Sequence, residues 1–240
     1  MARVDGGTGE ATGGALRRIL PKAVVGVEMF GDAARVPLWP EEAAHIANAI
    51  RHRREEYACV RHCARQGLAA LGIAPAPILS GSRREPLWPP GAVGSMTHCA
   101  GYRAAAVARA SDVAAVGIDA EPHEPLPDGV LEVVTREEER TLLEELTAAD
   151  DVTAWDRLLF SAKESVYKAW FPLARDWLGF EQASIALDPG RRRFSARLMV
   201  PGPVVNGQRL DRFEGRWLVR GGLLLTAIVV EKPTPSATNR

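Results

Sequence analysis

Trp155, Leu159, Ala162, Val166 and Ala169 recur at steps of four, three, four and three, the spacing that lays one apolar stripe along an α-helix. Such a stripe needs a surface to cover, so it commits the second half of the chain to a long helix lying on another apolar element. Pro172 has no amide hydrogen and is expected to end that helix. A partner surface stands upstream in Val116-Gly117-Ile118-Asp119-Ala120-Glu121-Pro122, which reads as a strand closed by its proline.

Side chains alternate across a strand, so Asp119 and Glu121 project from one face while Val116 and Ile118 take the other. Two carboxylates this close call for a cation or a shared proton. On the helix, at about 100° per residue, Glu164 lies roughly 140° and Lys168 roughly 180° from Leu159, so both face away from the apolar stripe. Taken alone, Glu164 and Lys168 read as a solvated face with one i, i+4 ion pair. Beside the strand acids they read differently. Asp119, Glu121 and Glu164 form an all-oxygen set suited to magnesium or manganese rather than zinc.

The first half has a strand candidate at Ala23-Val24-Val25-Gly26-Val27-Glu28, which echoes Val116-Gly117-Ile118-Asp119 in the order apolar, glycine, apolar, acid. A helix follows, with Tyr57, Val60, Ala64, Leu68 and Leu71 toward a core and Arg53, Arg61 and Arg65 off that stripe. Gly72 is placed to stop it. In the second half Thr135 and Glu138 make a capping box for a short acidic helix from Arg136 to Leu146. Arg212 to Val219 and Leu223 to Val230 are joined by Arg220-Gly221-Gly222, a hairpin signature. Residues 1–15 and 232–240 read as a disordered leader and tail. A mixed α+β fold with two related halves is expected.

Thirty acidic and thirty basic residues balance in 240, so the chain as a whole exerts no long-range pull on nucleic acid or an anionic membrane. Phosphate affinity must come from local clusters. No apolar stretch reaches transmembrane length and no signal peptide is evident, which makes a cytoplasmic protein the default. Cys59, Cys63 and Cys99 are an odd set without a small secreted scaffold, so reduced thiols are favoured. Cys59 and Cys63 lie one helical turn apart and could join His62, His98 or Cys99 on zinc, but the usual C-x-x-C spacing is missing and helical cysteines commonly serve as small core residues.

The pattern V-G-I-D-x-E-P followed by W-x-x-x-x-x-x-x-K-E-S-x-Y-K-A resembles the 4'-phosphopantetheinyl transferases of the long two-lobed type, most like their actinobacterial members. Gly94-Ser95-Met96-Thr97-His98-Cys99 is similar to that family's S-x-T-H segment, and Arg53 to Arg65 to its basic helix. Pro77-Ile78-Leu79-Ser80-Gly81 with Glu85-Pro86 is similar to the loop leading to the adenine end of coenzyme A. The matches run in family order from about residue 24 to about 230.

The resemblance implies a pseudo-dimer of two similar α+β lobes, each a small, mostly antiparallel sheet on a long helix, with residues 16–116 on the adenine side and 117–231 carrying metal and catalysis. It implies an enzyme that moves 4'-phosphopantetheine from coenzyme A to a serine of apo acyl or peptidyl carrier proteins, with magnesium (or manganese) and release of adenosine 3',5'-bisphosphate. Such an enzyme serves fatty acid, polyketide or nonribosomal peptide synthesis. Arg53, Arg61, Ser80, Gly81, Ser82, Arg83, Thr97, His98, Asp119, Glu164 and Lys168 fall at positions that contact coenzyme A. Asp119, the Ala120 backbone, Glu121 and Glu164 fall at the metal, and Glu164, Lys168 and His98 at the catalytic positions. Ser80 stands where relatives often carry a basic residue, with Arg83 or Arg84 as substitutes, and Lys163 is a possible second phosphate contact. Transient carrier-protein partners, no nucleic acid, no membrane and a monomer complete the expectation.

Overall fold

The computed structural model describes residues 14–31 and 36–232. In chain order its elements are Val24–Phe30 (β1), Pro40–His45 (α1), Arg51–Ala70 (α2), Ala92–Cys99 (β2), Tyr102–Arg109 (β3) and Val113–Pro122 (β4). There follow Val130–Val134 (α3), Glu137–Ala149 (α4), Trp155–Ala174 (α5), Ala183–Asp188 (β5) and Arg193–Leu198 (β6). Val204–Val205 (β7), Gln208–Arg209 (β8), Arg212–Arg220 (β9) and Leu223–Glu231 (β10) complete the described chain.

Besides the two-stranded β7-β8 ribbon, two larger antiparallel sheets result among the described residues, in the orders β1-β3-β2 and β4-β10-β9-β6-β5. Each carries one long helix, giving the expected pair of α+β lobes. On the first sheet α2 lays Cys63, Ala64 and Leu68 against Ile78, Ala105 and Val107. On the second, the apolar stripe of α5 meets Phe194, Phe213, Leu224 and Ile228. Each fully buried side chain of this size contributes about 1.5–3 kcal/mol, so the helices are held by packing more than by propensity.

The opposite faces of the two sheets meet in a third core. Tyr102, Ala104, Ala106 and Ala108 of β3 pack with Val116, Ile118 and Ala120 of β4 and Leu225 and Ala227 of β10, closed by Leu16 and Ile19. At the seam β2 and β4 run side by side, yet among the described residues β2 pairs only with β3 and β4 only with β10. Hydroxyls bridge them instead: Ser95 Oγ accepts the Ile118 N–H and Thr97 Oγ1 the Ala120 N–H, both at 3.1 Å.

Gly117 sets how closely α5 can lie on β4. A Cβ there would overlap the Ser165 carbonyl oxygen and stand 2.8 Å from Ala169 N, so only glycine admits the helix. The β9–β10 turn pairs Arg220 with Leu223 and holds Gly221 and Gly222 at φ of 60° and 76°, the left-handed pair a two-residue hairpin needs.

Several expectations are corrected. Pro172 does not end α5, which runs on to Ala174 and turns off at Arg175 with φ 56°; a proline in the last turn removes only one helical bond. The capping box lies one residue later, with Arg136 N donating to Glu139 Oε2 at 2.8 Å. Thr135 Oγ1 is diverted to the Leu131 carbonyl at 2.6 Å, and α4 extends to Ala149. The echo of the two strands is out of phase: Gly26 turns toward Leu16 and Leu20, whereas Gly117 faces α5. Pairing of Val113, Ala115 and Val116 with β10 gives all of β4 to the second sheet, so the division at 116/117 falls inside a strand. The leader and tail lie mostly outside the described residues, although Ala15 is buried and Lys232 Nζ donates to Ala110 O at 2.6 Å.

Candidate functional site

A cleft of about 880 Å³ opens between the lobes, lined from both. The first half contributes Arg53, Tyr57 and Arg61 from α2, Ser80, Gly81, Arg83 and Arg84 from the following loop, and Thr97 and His98 from β2. The second contributes Asp119 from β4 and Glu164, Tyr167, Lys168, Phe171 and Arg175 from α5 and its end. Nearly all the residues assigned to coenzyme A thus share one cavity. Ser82 is exposed on the loop and is not among the lining residues.

The loop is a tight turn, with Gly81 N donating to Glu85 O at 2.8 Å and Leu87 N to Leu79 O at 2.9 Å. Arg83 N is held by Glu85 Oε2 at 2.9 Å. Arg61 anchors this loop. Its Nε donates to Ile78 O at 2.6 Å and its Nη2 to Ser80 Oγ at 3.0 Å, while its guanidinium lies 3.1 Å over the Tyr57 ring. Burial pulls its pKa down to about 10. The expectation of an outward arginine off the apolar stripe is therefore corrected: Arg61 is 4% exposed, because a nonlocal carbonyl and the ring four residues back on its own helix satisfy its donors. Arg65 is likewise engaged, by Glu42 at 2.8 Å.

Arg53 remains half exposed and donates to His98 Nε2 at 2.7 Å. The other ring nitrogen, Nδ1, lies 3.2 Å from Glu56 Oε1. Burial lowers the pKa of His98; Glu56 opposes this, and Arg53, Lys168 and Arg103 reinforce it.

Across the cleft Asp119 Oδ1 accepts from Lys168 Nζ at 2.6 Å and from the Thr97 hydroxyl at 3.2 Å. Its other oxygen, Oδ2, is buried without a hydrogen-bond partner. Burial pulls the Lys168 pKa down, but Asp119 and Glu164 more than offset it and the group is held high. Glu164 is pushed up by burial and by Asp119 against the pull of Lys168.

Glu121, the third acid of the expected metal set, is engaged outside the cleft. Its Oε2 accepts from Arg157 Nη1 at 3.0 Å, and it is not among the residues lining the cleft. Ala120 points its side chain into the seam core and its N–H to Thr97. Among the described residues no three His, Cys, Asp or Glu side chains converge as a metal-holding group. The physical reason is that Lys168 and Arg157 neutralise Asp119 and Glu121 separately. The chemistry nevertheless fits a hard divalent cation: all candidate ligands are oxygens, one is a buried orphan, and burial and Asp119 hold Glu121 above the usual carboxylate range as well.

Lys163 does not reach the cleft. It is buried against Glu139 at 2.7 Å and donates to the Phe180 and Ala183 carbonyls. Glu56, Arg157, Tyr167 and Arg175 carry no individual assignment from sequence, and Tyr57 is read there only as part of the core-facing stripe. Only Tyr57, one helical turn before Arg61, carried a local signal.

Comparison with known proteins gives the family of the chain. Residues 41–108 match the model of the 4'-phosphopantetheinyl transferase N-terminal domain and residues 115–206 that of the 4'-phosphopantetheinyl transferase superfamily. The chain is 55% identical over 222 residues to the 4'-phosphopantetheinyl transferase Svp of Streptomyces mobaraensis, covering 91% of this chain and 90% of that protein. It is 48% identical over 207 residues to PptT of Mycobacterium tuberculosis, covering 85% and 90%. With Npt of Nocardia iowensis the identity is 45% over 221 residues, covering 89% and 98%. Among the described residues no helix is long and apolar enough to cross a membrane.

Proposed function

The chain belongs to the 4'-phosphopantetheinyl transferase superfamily, and from that membership we propose how its cleft performs the reaction. The enzyme transfers the 4'-phosphopantetheine group of coenzyme A to carrier proteins. The observation that supports the division of labour is that phosphate-binding cations and the acidic pair Asp119 and Glu164 line one cavity from opposite lobes.

Coenzyme A carries a 3'-phosphate and a pyrophosphate, which demand several cationic donors. Arg53, His98 and Lys168 take the phosphate oxygens inside the cleft, and Arg83 stands at the loop. Arg61 acts at one remove by fixing Ser80 and the Ile78 carbonyl. Asp119, Glu121, Glu164 and the Ala120 carbonyl would hold magnesium, with manganese as a substitute. When bound, the metal offsets charge on the pyrophosphate oxygens.

Glu164 takes the proton of the carrier serine as its oxygen attacks the β-phosphorus, and the bond to the α-phosphate oxygen breaks, releasing adenosine 3',5'-bisphosphate. The upward shift of Glu164 suits a base working near neutral pH. Lys168 and His98 stabilise the charge that develops on the phosphate oxygens. Apo acyl and peptidyl carrier proteins of fatty acid, polyketide or nonribosomal peptide synthesis are the acceptors. The working unit in this reading is a cytoplasmic monomer, since a single chain supplies both walls of the cleft.

The test is release of adenosine 3',5'-bisphosphate from coenzyme A, followed with and without an apo carrier. Release that requires the carrier and is lost in Glu164→Gln supports the assignment. Release without any carrier would instead make the site a phosphodiesterase.

A further inference from the structure

Glu56 is a nearly buried carboxylate, 12% exposed, at the meeting point of four side chains, and the reaction as described gives it no task. Its Oε1 lies 3.1 Å from His52 Nε2 and 3.2 Å from His98 Nδ1, and its Oε2 lies 3.5 Å from Arg53 Nη1. On the far side of the His98 ring, Arg53 Nη1 stands 2.7 Å from Nε2. A guanidinium has only donors. Nε2 is therefore an unprotonated acceptor here, and the ring hydrogen sits on Nδ1, 3.2 Å from Glu56 Oε1.

An unprotonated Nε2 turns a lone pair toward the cleft. That is the wrong polarity for a phosphate oxygen, which needs a donor. On the reading that this cleft takes coenzyme A, we infer that Glu56 is a positioning residue: it orients His98 through Nδ1–H and supplies the negative charge that lets Nε2 gain a proton when a phosphate arrives. The Arg53 guanidinium is then released from Nε2 and turns to the same anion. Coenzyme A binding therefore takes up a proton from solvent, Nε2 being its site.

The charges around the ring support this balance. Besides burial, the largest influence, Arg53, Lys168 and Arg103 disfavour imidazolium in the free protein and Glu56 favours it. A bound phosphate cancels the first two by pairing with them. The ligand's own secondary phosphate ionisation works in the opposite direction, since binding a dianion releases protons and cannot produce uptake.

The experiment is calorimetric titration of the intact enzyme with coenzyme A, without carrier, at pH 7.5 in buffers of differing ionisation enthalpy. The expected result is uptake of about one proton per coenzyme A, with affinity weakening up to about tenfold per pH unit above neutrality. Glu56→Gln, which keeps shape and one acceptor oxygen but removes the charge, abolishes the uptake and flattens the pH dependence, and Glu56→Asp restores part of both. Coenzyme A that binds with no uptake in the unaltered enzyme overturns the inference and leaves the transferase reading standing. Failure to bind coenzyme A at all overturns that reading with it. If Glu56→Gln does not fold, the wild-type titration still decides the matter.

Discussion

Thr97 and Asp119 join the two lobes in the wall of the cleft. The Thr97 hydroxyl donates to Asp119 Oδ1 at 3.2 Å while accepting the Ala120 N–H at 3.1 Å. One side chain of β2 thus closes the seam and aims the acid of β4. Thr97→Val keeps the shape and loses both bonds, leaving a buried amide without a partner, so it is expected to cost about 1–3 kcal/mol of stability. Turnover falls further than the melting temperature accounts for, and Thr97→Ser recovers both. Melting curves beside steady-state rates check this.

Gly117 makes the second prediction. Gly117→Ala sets a methyl against the Ser165 carbonyl and the Ala169 backbone, where no flexible side-chain end can give way. The expected loss is about 1–3 kcal/mol from overpacking. Because α5 carries Glu164 and Lys168, kcat falls even where the protein remains folded. A stability loss with unchanged kcat would show that α5 shifts without moving the site.

Lys163 separates structure from chemistry. Its ion pair with Glu139 is buried on both sides, so Lys163→Met leaves an unpaired carboxylate and is expected to cost about 3–5 kcal/mol, while adding Glu139→Leu regains only part of it, because the Arg136 and Ile185 amides then lose their acceptor. The double variant keeps the KM for coenzyme A. A large rise in that KM would return Lys163 to the phosphate site. Chemical denaturation and coenzyme A titration decide between these outcomes.

What the sequence made legible were the periodic features. The α5 stripe, the same-face placement of Asp119 and Glu121, the Gly221-Gly222 turn and the stop at Gly72 all follow from local spacing, and most residues of the family pattern line one cleft, Ser82 and Glu121 excepted. What it hid depended on partners far along the chain. Glu121 is taken by Arg157, and Arg61 by the Ile78 carbonyl, through contacts that no periodicity announces. The capping box moved by one residue because the Leu131 carbonyl captured the Thr135 hydroxyl. The echo of Gly26 and Gly117 announced two related halves but not the face each glycine turns. Order along a strand is visible in sequence, whereas the face turned toward the helix is set by the rest of the sheet.

The central claim is that Asp119, held by Thr97 and Lys168 and left with one free buried oxygen, belongs to the machinery that moves phosphopantetheine. The most direct measurement is the intact mass of an apo carrier protein incubated with coenzyme A, magnesium and either the wild-type enzyme or Asp119→Ala, with melting curves showing both folded. A single phosphopantetheine gain with the wild type, and none with Asp119→Ala, is the predicted result. Equal modification by the two proteins would contradict it.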